Sequence, residues 1–309
     1  MSNLDFEILI DNSFADVCTD KSVLPNHNKF VLSLINDFED GEWRYERFQS
    51  FIWDNIAETA LSKLERDKLI DKNHSTLVAA AKNLRLTDSN KTDKVGEGSE
   101  LAEIVLYGIM KHHYNALPVV PKIFYKQNVQ DNAKGADSVH IVIENNNDFS
   151  IWFGEAKFYN SIEDVRLSTI ISSVKASLQT DKLKKENSII TGISDIDTLI
   201  VDSSLCFQIK EALSPKNSID ILKPKIHIPI LLLHECSITK DEKTLSDEYK
   251  DKIITYHKER AQSYFKKQIS ELRTIYNYDK IKFHLILFPI PSKKVIVDKF
   301  VSNVKFYKS

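Results

Sequence analysis

Two runs with strand character, residues 137–144 and 149–158, are separated only by Asn145, Asn146, Asn147 and Asp148. Val139, Ile141 and Ile143 alternate in the first, Ile151 and Phe153 in the second, which is the period of an extended strand. Parallel strands need a crossover of about a dozen residues, so so short a gap leaves only an antiparallel hairpin. Helical patterns lie on both sides of this hairpin. Helices followed by intermixed strands and helices predict an α/β (α+β mixed) fold, with a mixed central sheet flanked by helices.

Residues 1–94 read as a mainly helical N-terminal region. Phe30, Val31, Leu34, Ile35 and Phe38 recur at helical spacing, as do Phe48, Phe51, Ile52, Ile56, Ala60 and Leu64, and 77–84 is a shorter apolar segment. Trp43, Tyr45, Phe48, Phe51 and Trp53 suit either core packing or a partner-docking surface. The polar run 87–94, followed by Gly96-Glu97-Gly98, marks a boundary. Residues 95–309 form the second unit. Ser99 is the expected N-cap of a helix over 100–113, and 122–125 is expected to be extended. Beyond the hairpin the pattern predicts a helix over 162–185, a short strand over 196–201, a helix over 204–213 and an apolar strand over 225–235. A long amphipathic helix over 245–276, a strand over 282–288 and a last helix from Ser292 complete the chain.

Composition narrows the function classes. Lys plus Arg number 42 and Asp plus Glu 44, so any nucleic-acid contact must come from a local patch. Cys18, Cys206 and Cys236 lie far apart with no CxxC pair, which excludes a cysteine-rich zinc site and fits a reducing compartment. The N-terminus lacks a basic start leading into an apolar run, and the longest apolar runs are far too short to span a bilayer. A cytoplasmic location without membrane contact is therefore expected. No glycine-rich phosphate loop, HExxH or nucleophile elbow occurs, so the chain is not expected to be its own motor.

The chemistry concentrates in the hairpin. Asp137 opens the first strand, and Glu155 and Lys157, two apart, leave the same face of the second. The antiparallel connection brings Asp137 opposite that end. Carboxylates are the ligands Mg²⁺ prefers, and an adjacent lysine can orient water or neutralise charge on a phosphoryl oxygen. Glu155 and Lys157 interrupt the apolar face of Ile151 and Phe153, whereas charges placed to protect a sheet edge need no such apolar setting. A further carboxylate is expected from the 100–113 helix: Glu103, one turn in, with Glu100 as the alternative.

Gly98-Ser99-Glu100-Leu101-Ala102-Glu103-Ile104, Gly135-Ala136-Asp137 and Phe153-Gly154-Glu155-Ala156-Lys157-Phe158-Tyr159 together resemble the restriction-endonuclease-like PD-(D/E)xK superfamily. More narrowly, they resemble the nuclease subunits of the Hachiman antiphage defence systems, over roughly residues 95–290. The resemblance implies a restriction-endonuclease-like core in 95–309, Mg²⁺-dependent DNA cleavage with Mn²⁺ as a substitute, and a superfamily-2 helicase partner that restrains the nuclease. It places Asp137, Glu155 and Lys157 at catalytic positions, with Asp137, Glu155 and Glu103 toward the metal.

Lys175, Lys182, Lys184 and Lys185 follow the site and suit either DNA-backbone contact or a solvated helix face. His234 and His284 read as sheet residues, and His112-His113 point to different faces of a helix. A regulatory or scaffolding subunit that binds DNA and a helicase without turnover is the rival reading, and a structure-specific resolvase a third.

Overall fold

The computed structural model describes residues 4–86, 98–125, 135–144, 148–192 and 195–309. Its centre is a seven-stranded sheet. The strands are β1 (Glu7–Ser13), β2 (Lys29–Ile35), β3 (Leu117–Val120), β4 (Ser138–Glu144), β5 (Asp148–Tyr159), β6 (Ile226–Glu235) and β7 (Lys282–Ile290). Their spatial order is β1-β2-β7-β6-β5-β4-β3. The four inner strands β2, β7, β6 and β5 are mutually parallel, and β1, β4 and β3 are antiparallel to their neighbours. The sheet is thus mixed, and buried on both faces as parallel strands require.

Among the described residues the helices of ten or more residues are α1 (Tyr45–Ala60), α2 (Asn73–Asn83), α3 (Ser99–Tyr114), α4 (Asp164–Ser177), α5 (Thr180–Gly192), α6 (Ser203–Ala212), α7 (Asp247–Leu272) and α8 (Lys293–Lys308). The pleat sorts them into two layers. Ile151, Phe153, Ile230, Leu232, Leu285 and Leu287 face one way, against Leu167 and Ile170 of α4, Leu183 of α5 and Phe265 of α7. Trp152, Ala156, Phe158, Leu231, Leu233 and Phe288 face the other, against α1, α3 and α8 through Phe51, Ile104 and Phe300.

The hairpin is present: β4 pairs β5 antiparallel from Ser138 opposite Gly154 to Glu144 opposite Asp148. Most of its turn, 145–147, and the expected boundary segment 87–97 lie outside the described residues. The helical reading of 30–38 is corrected, because Lys29–Ile35 is strand β2. Val31 packs on one side of the sheet and Leu32 and Leu34 on the other. A short apolar run buried on both faces has no two-residue alternation to separate it from a helix. With β1 and a small ribbon of Phe38–Glu39 and Glu42–Trp43, the described residues up to 86 hold strands as well as helices, and they supply two strands of the main sheet.

Other boundaries moved. Gly98, at φ 87°, takes the cap position, so Ser99 is already helical. Residues Lys122–Tyr125 are a short helix, the extended segment being β3 just before it. The 162–185 pattern divides into α4 and α5, and the expected strand over 196–201 is the short helix Asp195–Leu199. Trp43, Phe48 and Phe51 are buried in the core, so those rings form no exposed patch. Leu64 instead is exposed.

Candidate active site

Asp137 sits immediately before β4, and its N–H donates to the Gly154 carbonyl at 2.8 Å, extending the hairpin by one rung. That rung sets Asp137 beside Glu155. The side chain is fixed as well, since the Ala156 N–H donates to Asp137 Oδ2 at 3.1 Å. Glu155 and Lys157 project from β5 toward the α4 layer. Lys157 Nζ lies 2.6 Å from Glu155 Oε1 and 3.5 Å from Asp137 Oδ2. Ser173 of α4 donates its hydroxyl to the same Glu155 oxygen. The sequence pattern thus brings three residues together, and the fold adds a fourth from a helix.

The electrostatics follow from burial. Glu155 is 5% exposed. Desolvation and the Asp137 carboxylate push its pKa up, while Lys157 and Ser173 hold it back. Burial alone would lower the Lys157 pKa, but Asp137 and Glu155 outweigh it and raise that pKa, so Lys157 carries its charge at neutral pH. Tyr159 and Tyr264 also neighbour Glu155, and both phenols are pushed up, first by burial. Their hydroxyls are buried without a hydrogen-bond partner in the described structure.

The two helix carboxylates separate. Glu100 accepts from the N–H groups of Arg85 at 3.0 Å and Leu86 at 3.1 Å, which ties the end of the α2 segment to α3. Glu103 is buried, and its charge is felt by Tyr107 one turn on. Tyr107 donates to the Val120 carbonyl. The charged neighbours that shift Glu155 are Asp137 and Lys157. Of the four lysines, Lys175 pairs with Glu271 at 3.6 Å, Lys182 and Lys184 are exposed on α5, and Lys185 is half-buried.

The HamA family model matches residues 12–304. The chain belongs to the HamA family. It is a HamA subunit of the Hachiman system, and this membership supports a nuclease-like role in antiphage defence. None of the curated proteins compared with the chain matches it. The HamA match begins near the end of β1 and ends within α8, so it takes in β2 to β7 entire and not only the hairpin.

HamA nucleases imply a metal in general terms. Among the described residues no group of three or more His, Cys, Asp or Glu is arranged to hold one. Mg²⁺, however, is commonly held by one or two carboxylates with water and substrate phosphate completing its shell. The donor set here has that composition. Two hard-oxygen donors, Asp137 Oδ2 and Glu155 Oε1, already share one cation, the Lys157 ammonium. The residues present therefore fit a magnesium-type ion and not a zinc site.

Ser173 and the buried Glu186 of α5 were missed in the sequence. Ser173 lies three positions after Ile170, and Glu186 three after Leu183 and four before Ile190, each on the buried stripe of its helix. A polar residue at apolar spacing was the available signal. His234 and His284 are buried sheet residues, as their apolar strands implied. All three cysteines are buried and free. Among the described residues no helix is long and apolar enough to cross a membrane.

Proposed function

We propose that this chain is a metal-dependent deoxyribonuclease acting in antiphage defence and controlled by a helicase partner. The observation that supports it most is the convergence of the Asp137 and Glu155 carboxylates on one cation position, occupied by Lys157. Asp137 and Glu155 would hold Mg²⁺ or Mn²⁺, with Glu103 assisting from α3. Such an ion, when bound, supplies Lewis-acid polarisation of the phosphodiester and lowers the pKa of the attacking water.

The chain's own residues do the rest. Lys157 stays protonated, so its role is to donate hydrogen bonds to water or to a phosphoryl oxygen as negative charge develops there, and not to act as a base. Ser173 and the Ala156 N–H keep the two carboxylates from turning away. Lys175, Lys182, Lys184 and Lys185 are proposed to track the DNA backbone, which carries affinity without reading sequence.

The hairpin bearing an acid and Glu-x-Lys, within a mixed sheet flanked by helices, supports a restriction-endonuclease-like core. All the groups assigned to chemistry fall in 95–309, which we propose as the nuclease domain, with 1–94 available for partner docking. A cytoplasmic setting, with DNA and a superfamily-2 helicase as partners, completes the reading.

The direct test incubates supercoiled and linear DNA with the chain in Mg²⁺, Mn²⁺ or EDTA, alone and with the helicase encoded beside it. Metal-dependent nicking or degradation, lost in Glu155→Ala and Lys157→Ala variants that remain folded, is the expected result. DNA binding without turnover under every condition would overturn it in favour of a scaffolding subunit.

A further inference from the structure

A second buried polar cluster lies next to the site, and the chemistry above does not use it. Lys122, just after β3, is wholly buried, and its Nζ lies 2.6 Å from Oε2 of Glu186 on α5, itself about as buried as Glu155. A buried ion pair is a poor source of stability, because desolvating both charges costs about as much as their attraction returns. What this pair does is position the other carboxylate oxygen. Glu186 Oε1 accepts from the Ala136 N–H at 3.1 Å, one residue before Asp137 and fifty residues away in sequence.

Asp137 is thereby reached from two sides. Its own N–H is held by Gly154, and the preceding peptide is held by Glu186. Gly135 shows how close that second contact is. A Cβ built there would stand 1.6 Å from Glu186 Oε1. The carboxylate cannot simply swing aside, because Lys122 holds its other oxygen inside the protein. Gly135 has no positive φ, so alanine is acceptable to the backbone, and the nearest atoms its Cβ would meet among the described residues are those of Glu186.

We infer that Glu186 is a positioning residue for Asp137, held in place by Lys122 and admitted by Gly135. It fixes where the first metal-facing carboxylate leaves the strand. The inference rests on the nuclease reading for the purpose of the carboxylate, but the anchor itself is a statement about the backbone at 135–137. It also accounts for a glycine at 135, where a Cβ would collide with Glu186.

The test compares two double variants in the full chain. Lys122→Met with Glu186→Gln removes both charges but keeps an amide oxygen to accept from Ala136. Lys122→Met with Glu186→Leu removes the acceptor too. Both share the lysine change, so their difference reports the hydrogen bond alone. Two readouts are taken on folded protein: Mn²⁺ affinity by electron paramagnetic resonance, and amide hydrogen exchange of the peptide covering 135–139. The leucine pair is expected to bind Mn²⁺ at least about tenfold more weakly, as loss of an outer-shell partner commonly does, and to exchange faster at 136–138. The glutamine pair is expected to restore both. Gly135→Ala should reproduce the leucine phenotype alone and add nothing to it in combination.

Equal Mn²⁺ affinity and equal exchange in the two pairs would overturn the inference. If the unaltered chain takes up no Mn²⁺, the nuclease reading fails separately. The exchange comparison then still decides the anchor, since equal protection in both pairs refutes it and faster exchange in the leucine pair supports it.

Discussion

The Lys157 ammonium lies 2.6 Å from the Glu155 carboxylate, two residues back on the same face of the same strand. The lysine therefore occupies the position that a divalent cation would contest. Removing it leaves Glu155 and Asp137 as like charges in a half-buried site, each raising the cost of the other. In Lys157→Ala the melting temperature is expected to fall, and added Mn²⁺ is expected to raise it by more than it does in the unaltered chain. At a given metal concentration the stabilisation grows with the logarithm of the affinity, and the variant has lost the competitor. Thermal melts with and without Mn²⁺ check this. An equal or smaller metal-induced rise in the variant would show that the metal binds elsewhere.

Glu155→Gln separates charge from shape. The amide oxygen can still accept from Ser173, and the desolvation cost of the carboxylate disappears. The variant should keep its fold and melt within a few degrees of the parent, while cleavage falls by at least about a hundredfold, a loss of roughly 2.7 kcal/mol in transition-state stabilisation. Plasmid cleavage corrected for folded fraction is the measurement. Retained cleavage would remove Glu155 from the mechanism.

The helix carboxylates make opposite expectations. Glu100 spends both oxygens on the Arg85 and Leu86 amides, so Glu100→Ala should lower stability by about 1–3 kcal/mol and leave cleavage per folded molecule near that of the parent. Glu103→Gln should reduce cleavage with a smaller effect on stability. Urea unfolding and cleavage rates on both variants decide between them, and the reverse assignment of losses would make Glu100 the third carboxylate.

How much of this was visible beforehand depends on how local the signal was. Asp137, Glu155 and Lys157 were legible because a short turn and a two-residue period fix their geometry almost without reference to the rest of the chain. The same hairpin logic set the fold class. Strand β2 was not legible: Val31, Leu32, Leu34 and Ile35 are buried on both faces, and what makes them a strand is β7, some 250 residues later. Glu186 and Ser173 escaped for a related reason. Their partners, Ala136 and Glu155, are remote in sequence, so only the chain's path across the sheet brings them together. Glu103 and Glu100 stayed a pair of alternatives because helical spacing puts both on accessible neighbouring positions, and only the course of residues 84–86 shows what Glu100 holds.

Five histidines, His140, His227, His234, His257 and His284, are buried. Burial lowers every one of their pKa values, to about 3 for His140 and His227 and about 4 for His234, with His257 and His284 well below the ordinary value. His284 Nε2 and His227 Nδ1 are 3.1 Å apart, a contact that two protonated rings could not keep. All five are neutral in the folded chain at mild acidity, whereas the unfolded chain takes up protons near pH 6.5. Their stability contribution is therefore complete above pH 6.5 and is lost as pH falls toward 4. Melts between pH 7.5 and 5 should steepen below 6.5, and His257→Gln, which can still bond Ser33, should reduce proton uptake on unfolding by about one. A flat profile across that range would contradict the buried-neutral assignment.

Lys29 carries a dependence of the same sign, displaced to alkaline pH. It is wholly buried in β2, its Nζ 2.8 Å from Asn28 Oδ1 and 4.8 Å above the Tyr278 ring, and no carboxylate pairs with it among the described residues. Burial pushes its pKa down to about 7. In the unfolded chain the ordinary lysine value near 10.5 returns. Between those two values the unfolded state binds the extra proton, so stability should rise with pH from about 7 to about 10, while below 7 the full desolvation cost is present. Lys29→Met removes the charge, which lies 5.9 Å from the Phe265 ring and 5.7 Å from the Phe283 ring, and keeps an apolar side chain of similar length. Asn28 retains its bonds to the Tyr278 and Ile281 carbonyls. The variant is expected to be more stable than the parent at pH 6–7, by on the order of a few kcal/mol, and to lose the alkaline rise. Urea unfolding at pH 6, 7.5 and 9 on both chains measures this directly. A parent whose stability does not change over that range, or a methionine variant less stable at pH 6, would mean that the aromatic rings around Lys29 stabilise its charge more than burial opposes it.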